Sequence, residues 1–197
     1  MTRKEGIAKI IRAVTVPPVM VCALLLILYC EKGQTIAGTL DIILSALLLG
    51  IVPLLAYPLS MWIPSLKGKG REGQRNLAFM LTFAGYLAAL VYGLAAQVPQ
   101  DLQLIHLTYF ISVSILWVFN KLIRLRSSGH ACSITGPLIL IVYFIGWKIV
   151  LPCVVLFALI VWASLTLQRH TAKELIWGAL TAAFAFAVSL MLTGKLG

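Results

Sequence analysis

Long apolar runs separated by short polar segments make up most of this chain of 197 residues. Seven of the runs have about the length, roughly 20 residues, that a helix needs to cross the hydrocarbon core of a membrane. A spanning segment must satisfy its backbone hydrogen bonds internally, so each run is predicted to be helical. The pattern predicts an all-α fold, a polytopic transmembrane helical bundle of six or seven spans that forms a single integral membrane domain, 1–197. The predicted spans cover about 13–30, 36–63, 77–95, 102–119, 131–147, 151–167 and 175–192.

Prolines modify the first two predicted spans. Pro17 and Pro18 lie near the start of the first span, where proline costs little because the first N–H groups of a helix have no partner. Pro53, Pro58 and Pro64 fall in or just after the second span, which is therefore predicted to be kinked or broken. No small-residue cleavage site follows the first apolar run, so this run is expected to be a retained helix.

Composition narrows the class of protein further. Apolar residues make up 61% of the chain and charged residues 11%, which excludes a soluble globular domain. The net charge of +10 comes from cations grouped in short segments between spans, a distribution that favours membrane lipids or a phosphate ligand over nucleic acid. Four cysteines lie in or beside apolar runs without metal-ligand spacing and are expected to pack as small apolar residues. They are Cys22, Cys30, Cys132 and Cys153.

The cations are also unevenly divided between the two sides of the predicted bundle. Seven spans place the N-terminus and the segments 67–75, 121–130 and 169–174 on one side, together with thirteen of the sixteen Lys and Arg residues. Only Lys32, Lys148 and Lys195 fall on the other side. Because short cytoplasmic loops carry the excess of Lys and Arg, the basic side is predicted to face the cytoplasm, with the chain in the cell (inner) membrane.

Two polar segments on the basic side contain the candidate chemistry. One ends in His130 and the other runs from His170 to Glu174, and the two spans between these histidines return them to the same membrane face. Ionisable groups at a membrane boundary are costly and indicate a functional site. The helix start at Ser128 and Gly129 offers free N–H groups to an anion. Nearby cations with a geometry suited to phosphate are Lys121, Arg124 and Arg126, and Arg75 adds a further one from the preceding basic loop.

Two histidines facing a bound phosphate can transfer a phosphoryl group through a covalent phosphohistidine. Glu174 follows His170 by four residues, one helical turn, and can orient that imidazole. The chain lacks a grouping of histidine, cysteine and carboxylate at ligand spacing, so neither a metal nor another cofactor is expected. His106, far from the other two histidines, is expected to be interfacial or hydrogen-bonded. Asp41 is expected either to reach the headgroup region or to make a polar contact inside the bundle.

These residues resemble the type 2 phosphatidic acid phosphatase superfamily, integral membrane lipid phosphatases related in their core to vanadium haloperoxidases. Ser127-Ser128-Gly129-His130 looks like the family's Pro-Ser-Gly-His motif, and His170-x-x-x-Glu174 followed by Gly178 looks like its His-x-x-x-Asp motif with a trailing glycine. The resemblance covers about 119–197, the expected catalytic core. It implies that His170 is the nucleophile, His130 the general acid and Glu174 the orienting carboxylate.

The chain departs from the family pattern at its phosphate-binding residues. Lys121 with Arg124 or Arg126 would stand for the first motif, compressed and without its proline. The family has an arginine six residues before the nucleophile, where this chain has Ser164. Other arginines, namely Arg169, Arg75 or the pair Arg124 and Arg126, are the candidates to supply the missing charge.

The predicted function is hydrolysis of a lipid phosphate monoester or diphosphate, of the phosphatidate, phosphatidylglycerophosphate or prenyl diphosphate type. The alternative is a catalytically inactive lipid-phosphate-binding or transport protein of the same fold. In the simplest structural reading, Ser-Ser-Gly-His is a helix cap and His170 contacts lipid headgroups. Oligomeric state is left open by the sequence.

Overall fold

The structure is a computed structural model that describes residues 3–62 and 70–195, with side chains from Gly73 onward in the second part. Over these residues it consists of helices and the turns that join them, with no strand. Six helices are long and apolar enough to cross a membrane, and the apolar helix Gly129–Ile145 is somewhat shorter. The chain is thus a multi-pass helical membrane protein, as predicted. The helices are α1 (Arg3–Val14), α2 (Pro17–Lys32), α3 (Thr39–Trp62), α4 (Gly70–Ala95), α5 (Gln100–Trp117), α6 (Gly129–Ile145), α7 (Val150–Thr166) and α8 (Ala172–Leu192).

The N-terminal segment forms a helix of its own. The first span was predicted to begin near residue 13, and this start is wrong because α1 continues to Val14 and α2 begins only at Pro17. Val16 is extended, and Pro17 and Pro18 occupy the first helical positions of α2. The change of direction between α1 and α2 lets α1 pack against α7, at the far end of the sequence.

The second span is broken, as its prolines predict. Helix α3 consists of Thr39–Ala46, a π-helical turn Leu47–Ile51, Val52–Leu54 and Ala56–Trp62. Proline lacks an N–H, so Pro53 interrupts the regular hydrogen-bond ladder. Gly85 of α4 lies against this turn, where a Cβ would come within 2.4 Å of the Leu48 carbonyl oxygen.

Helix α6 crosses the whole bundle despite its length of 17 residues. It begins with the segment that contains His130, and its other end brings Phe144 to 5.0 Å from Lys32 Nζ, measured to the ring centroid. Lys32 lies at the end of α2, on the opposite side of the bundle from Pro17. Within the described residues, α2 to α8 therefore run between two ends of the bundle, and His130 and His170 lie at the same end.

Two polar residues of the bundle have structural partners far from these histidines. His106 is fully buried, and its Nε2 lies 2.8 Å from Ser45 Oγ, so the prediction of a hydrogen-bonded histidine is confirmed. Asp41 accepts a 2.5 Å hydrogen bond from the Tyr92 hydroxyl and a 3.2 Å bond from the Gly38 N–H. Asp41 thus makes a polar contact between α3 and α4, at a partly exposed position, and both of its predicted roles stay open.

Candidate active site

The starts of α6 and α8 are held together by a close backbone contact. A Cβ at Gly178 would lie 2.3 Å from the Ser128 carbonyl oxygen, so only glycine permits this approach. The Ser128 N–H also donates to the Glu174 carbonyl oxygen across the two segments, at 3.0 Å. This contact brings the segment before His130 and the segment after His170 into one site, and it gives Gly178 a physical role.

His170 and Glu174 form a direct pair. The imidazole Nδ1 of His170 lies 3.0 Å from Glu174 Oε2, one helical turn away, as the spacing predicted. The same carboxylate oxygen accepts the Thr171 N–H at 3.3 Å, and the Thr171 hydroxyl accepts the Glu174 N–H at 3.3 Å. The same Glu174 carboxylate therefore caps the start of α8 and orients the His170 imidazole. With Nδ1 donating to the carboxylate, the Nε2 of His170 is left with a free lone pair.

A π-helical turn, Val118–Leu122, follows α5 and carries Lys121. Asn120 in this turn donates to the Ser127 carbonyl oxygen at 3.2 Å and accepts the Ser127 N–H at 3.1 Å. Arg124 adopts a positive φ of 58°, which turns the chain back toward α6. Asn120 thus ties the two ends of the basic loop together, a positioning role that the sequence analysis did not identify. The one indication of this role in the sequence is an amide side chain directly after an apolar span.

A cavity of about 700 Å³ opens beside this loop and contains most of the predicted phosphate-binding residues. It is lined by His170, Glu174 and Gly129 together with cations from three different parts of the chain. Those cations are Arg75, Lys121, Arg124, Arg126 and Arg169. Glu174 is the one carboxylate among the described lining residues, and it is already bonded to His170. The cavity therefore combines an oriented histidine with an excess of positive charge.

Arg75 reaches the cavity from a helix instead of the predicted loop. The basic segment 67–75 was expected to be a loop, but α4 already begins at Gly70, so most of the segment is helical. Asn76, the next residue of α4, accepts a 3.4 Å hydrogen bond at its Oδ1 from Lys121 Nζ and links this helix to the π-helical turn. The remainder of the predicted loop, 67–69, lies outside the described residues.

Ser128 and His130 lie behind the wall of the cavity. Ser128 is buried, and its hydroxyl caps α6 by accepting the Ala131 N–H at 3.2 Å. The Ser128 side chain therefore serves the helix, so the cap interpretation is correct for this residue. His130 has a buried Nε2 without a hydrogen-bond partner within the described part of the chain. Arg12 and the His170 imidazole are both near enough to His130 to interact with it electrostatically.

Arg12, at the end of α1, does not line this cavity but is near enough to His130 to interact with it electrostatically. Its Nη1 donates to Ser164 Oγ at 3.2 Å, and Ser164 is completely buried. Partial burial and the neighbouring charge of Arg169 lower the pKa of Arg12. A second, smaller cavity of about 300 Å³ lies between α1 and the end of α7, which are otherwise in contact. Its lining residues are Lys9, Arg12, Ala13, Leu167 and Arg169. Sequence reasoning missed Arg12 because nothing in the spacing connects residue 12 to residue 164.

In comparisons with known proteins, the chain matches no protein-family model, no curated protein and no solved structure. The function is therefore inferred from the geometry and charge of the site itself.

Proposed function

We propose that this protein is a membrane lipid phosphatase that works through a phosphohistidine on His170. The observation that carries the proposal is the His170–Glu174 pair, 3.0 Å apart, in the wall of a cavity whose other charged lining residues are cations. An imidazole oriented by a carboxylate is an activated nucleophile, and cations converging on one cavity favour a phosphate ligand. The resemblance of 119–197 to the type 2 phosphatidic acid phosphatases supports the same assignment.

The proposed reaction has two steps. In the first, His170 Nε2 attacks phosphorus, the bond from phosphorus to the ester oxygen breaks, and the departing oxygen takes up a proton, for which His130 is the proposed donor. In the second, water attacks the phosphohistidine, His130 takes up a proton from that water, and inorganic phosphate leaves as His170 becomes free again. Throughout, Glu174 holds the Nδ1 proton of His170 and stabilises the positive charge that develops on the imidazole.

The cations stabilise the negative charge that is redistributed over the phosphoryl oxygens in the transition state. Arg12 is the proposed replacement for the arginine that the family has at the position of Ser164, because its guanidinium is hydrogen-bonded to the Ser164 hydroxyl. In this proposal the guanidinium of Arg12 on α1 takes the role that an arginine side chain from α7 has in the family. Arg169 and Lys121 are proposed to hold the remaining oxygens from the cavity side.

The experiment that tests this function uses the purified full chain in detergent or vesicles without divalent metal. Phosphatidate, phosphatidylglycerophosphate and prenyl diphosphates are offered separately, and released phosphate is measured. Turnover of at least one substrate is expected, together with an acid-labile phosphoenzyme after rapid quenching. Absence of turnover on every lipid phosphate contradicts the enzyme proposal.

A second candidate function is binding or transport of a lipid phosphate without hydrolysis. The observation that favours it is the position of His130, which is not among the residues lining the cavity, as a general acid would be in the simplest arrangement. This candidate predicts saturable binding of lipid phosphates with no phosphate release. The substrate panel above separates the two functions in one measurement.

The proposed location is the cell (inner) membrane with the site on the cytoplasmic side, following the distribution of Lys and Arg. Single cysteines at Gly70 and Gln100, in a background without the four native cysteines, test this orientation with a membrane-impermeant thiol reagent on intact cells. We expect labelling at Gln100 but not at Gly70. The reverse pattern would place the site on the outer face.

A further inference from the structure

The second cavity, between α1 and the end of α7, concentrates positive charge. Three of its lining residues are cations from two separate parts of the chain, Lys9 and Arg12 of α1 and Arg169 after α7. None of its described lining residues is a carboxylate. Its volume of about 300 Å³ is several times the roughly 30 Å³ that one water molecule occupies in the liquid. The cavity therefore has room for a hydrated anion.

Arg12 and Arg169 form a pair of like charges at this cavity. The Arg12 guanidinium is fixed by its 3.2 Å hydrogen bond to Ser164 Oγ, which uses one of its N–H donors. Burial of the guanidinium and then the nearby charge of Arg169 lower the pKa of Arg12. Partly buried charges are screened less than charges in open solvent. The two arginines therefore repel each other, and an anion between them would offset this repulsion.

A similar pair of cations at the opposite end of the bundle has an internal counter-ion. Asp101 lies 3.8 Å from Lys32 Nζ and also contacts Lys195. Among the described residues that line the second cavity, no carboxylate stands in this relation to Arg12 and Arg169. An anion from outside the chain would do for the two arginines what Asp101 does for the two lysines.

The lining favours a phosphate group as this anion. The planar fork of arginine N–H donors matches phosphate oxygens, and Arg12 and Arg169 bring two such forks to one space. The cavity lies at the end of a membrane-spanning helix, the level of the lipid headgroups. Leu165 and Trp162, earlier in the same helix, expose apolar surface along which acyl chains can lie. A phospholipid headgroup and free inorganic phosphate both have the required chemistry.

We propose that the second cavity is an anion site that binds a phosphate group, distinct from the cavity that contains His170. The phosphate bridges Arg12 and Arg169 and so ties α1 to the end of α7. It is not hydrolysed there, because neither His130 nor His170 lines this cavity. Its source is the headgroup of an anionic phospholipid or inorganic phosphate from solution. This inference goes beyond the proposed function, since it requires no turnover.

Ala13 offers a way to give the site an internal counter-ion. It is exposed and lines the second cavity, so Ala13→Glu adds a carboxylate to the lining, and Ala13→Gln adds similar bulk without the charge. Equilibrium dialysis of the purified full chain in neutral detergent, against radiolabelled inorganic phosphate, measures binding. At saturation we expect two phosphates per chain in wild type and Ala13→Gln, but one in Ala13→Glu. Equal numbers in Ala13→Glu and Ala13→Gln, or one phosphate in wild type, would overturn the proposal.

A double variant of the first cavity isolates the second site. Lys121→Gln with Arg126→Gln removes two cations that line the first cavity and not the second. We expect this double variant to keep one phosphate. Adding Ala13→Glu should weaken the remaining phosphate by about 10-fold or more, because charge-assisted hydrogen bonds to the arginines are lost. Unchanged affinity in the triple variant contradicts the assignment to the second cavity.

Phospholipids added to the double variant identify the source of the phosphate. If the source is a lipid headgroup, the anionic phosphodiester phosphatidylglycerol should displace inorganic phosphate at an about 10-fold lower concentration than zwitterionic phosphatidylcholine. Displacement by neither lipid assigns the site to inorganic phosphate. Equal displacement by both lipids overturns the proposal, because the space would then accept lipid without selecting an anion.

Thermal midpoints and size-exclusion chromatography check the folding of each variant. If Ala13→Glu does not fold, Leu167→Glu adds the carboxylate from the α7 side, with Leu167→Gln as its neutral control. None of these measurements uses turnover. A chain that hydrolyses no lipid phosphate refutes the proposed function, and the number of bound phosphates still decides this inference.

Discussion

The two ends of the bundle use positive charge in opposite ways. At the end away from the histidines, Asp101 pairs with Lys32 at 3.8 Å and also contacts Lys195 closely. Burial and the nearby charge of Lys32 lower the pKa of Lys195, and Asp101 offsets the repulsion between the two lysines. At the histidine end, five cations share a cavity with one described carboxylate, which already bonds His170. Charge balanced by the protein itself is structural, whereas charge left unbalanced around a cavity is suited to an anionic ligand.

The largest expected effect comes from removing the proposed nucleophile. His170→Ala should lower turnover of a lipid phosphate by about 10⁴-fold or more, because the covalent intermediate can no longer form. The acid-labile phosphoenzyme should disappear at the same time, which rapid-quench phosphate labelling measures. Lys32→Ala at the opposite end is the control and should leave both signals close to wild type. Normal turnover in His170→Ala would show that the nucleophile assignment is wrong.

The next effect concerns Arg12 and tests whether α1 completes the site. Arg12→Ala should reduce kcat/KM by about 10²-fold, since a preorganised charge-bearing donor is lost from the transition state. Arg12→Lys should recover only part of this activity, because lysine keeps the charge but not the fork of donors. Arg3→Ala, an exposed arginine on the same helix, is the matched control.

The Arg12 result would be contradicted by equal activity of Arg12→Ala and Arg3→Ala. Thermal midpoints must accompany the kinetics, because Arg12 also anchors α1 to Ser164. A variant that loses stability but keeps its kcat/KM would assign Arg12 to folding alone.

The sequence predicted a bundle of six or seven spans with both histidines at one end, because both follow from local hydrophobicity and from parity. Lys121 and Arg126, which the sequence grouped with His130, line the cavity together with His170. The role of Arg12 was beyond prediction, since it depends on how a separate short helix packs on α7. The depth of the cavity was beyond prediction for the same reason. Tyr86, Tyr109 and Gly136 line it only because several helices pack around it.

A smaller effect separates the two roles of Glu174. Glu174→Gln keeps an acceptor for the Thr171 N–H, so the α8 cap and the thermal midpoint should be nearly unchanged. The negative charge beside His170 is lost, and kcat should fall by roughly 10- to 10²-fold because the imidazolium is no longer stabilised. Steady-state kinetics with melting curves measure both properties on the same samples. A lower melting midpoint with unchanged kcat would mean that Glu174 is only a capping residue.

The smallest effect on activity is expected at the opposite end, and it completes the comparison. Asp101→Asn leaves Lys32 and Lys195 without their shared carboxylate, and the two partly exposed pairs together contribute about 1 kcal/mol to the free energy of unfolding. For a chain of this size such a loss lowers the thermal midpoint by about 2–4 °C. Activity on a lipid phosphate should change by less than about 2-fold, because the bundle length separates Asp101 from the cavity. High salt should reduce the difference in midpoint between wild type and variant, since exposed ion pairs are screened. A large loss of activity with an unchanged midpoint would mean that charge at this end acts on the site, and the division between structural and ligand-binding cations would not hold.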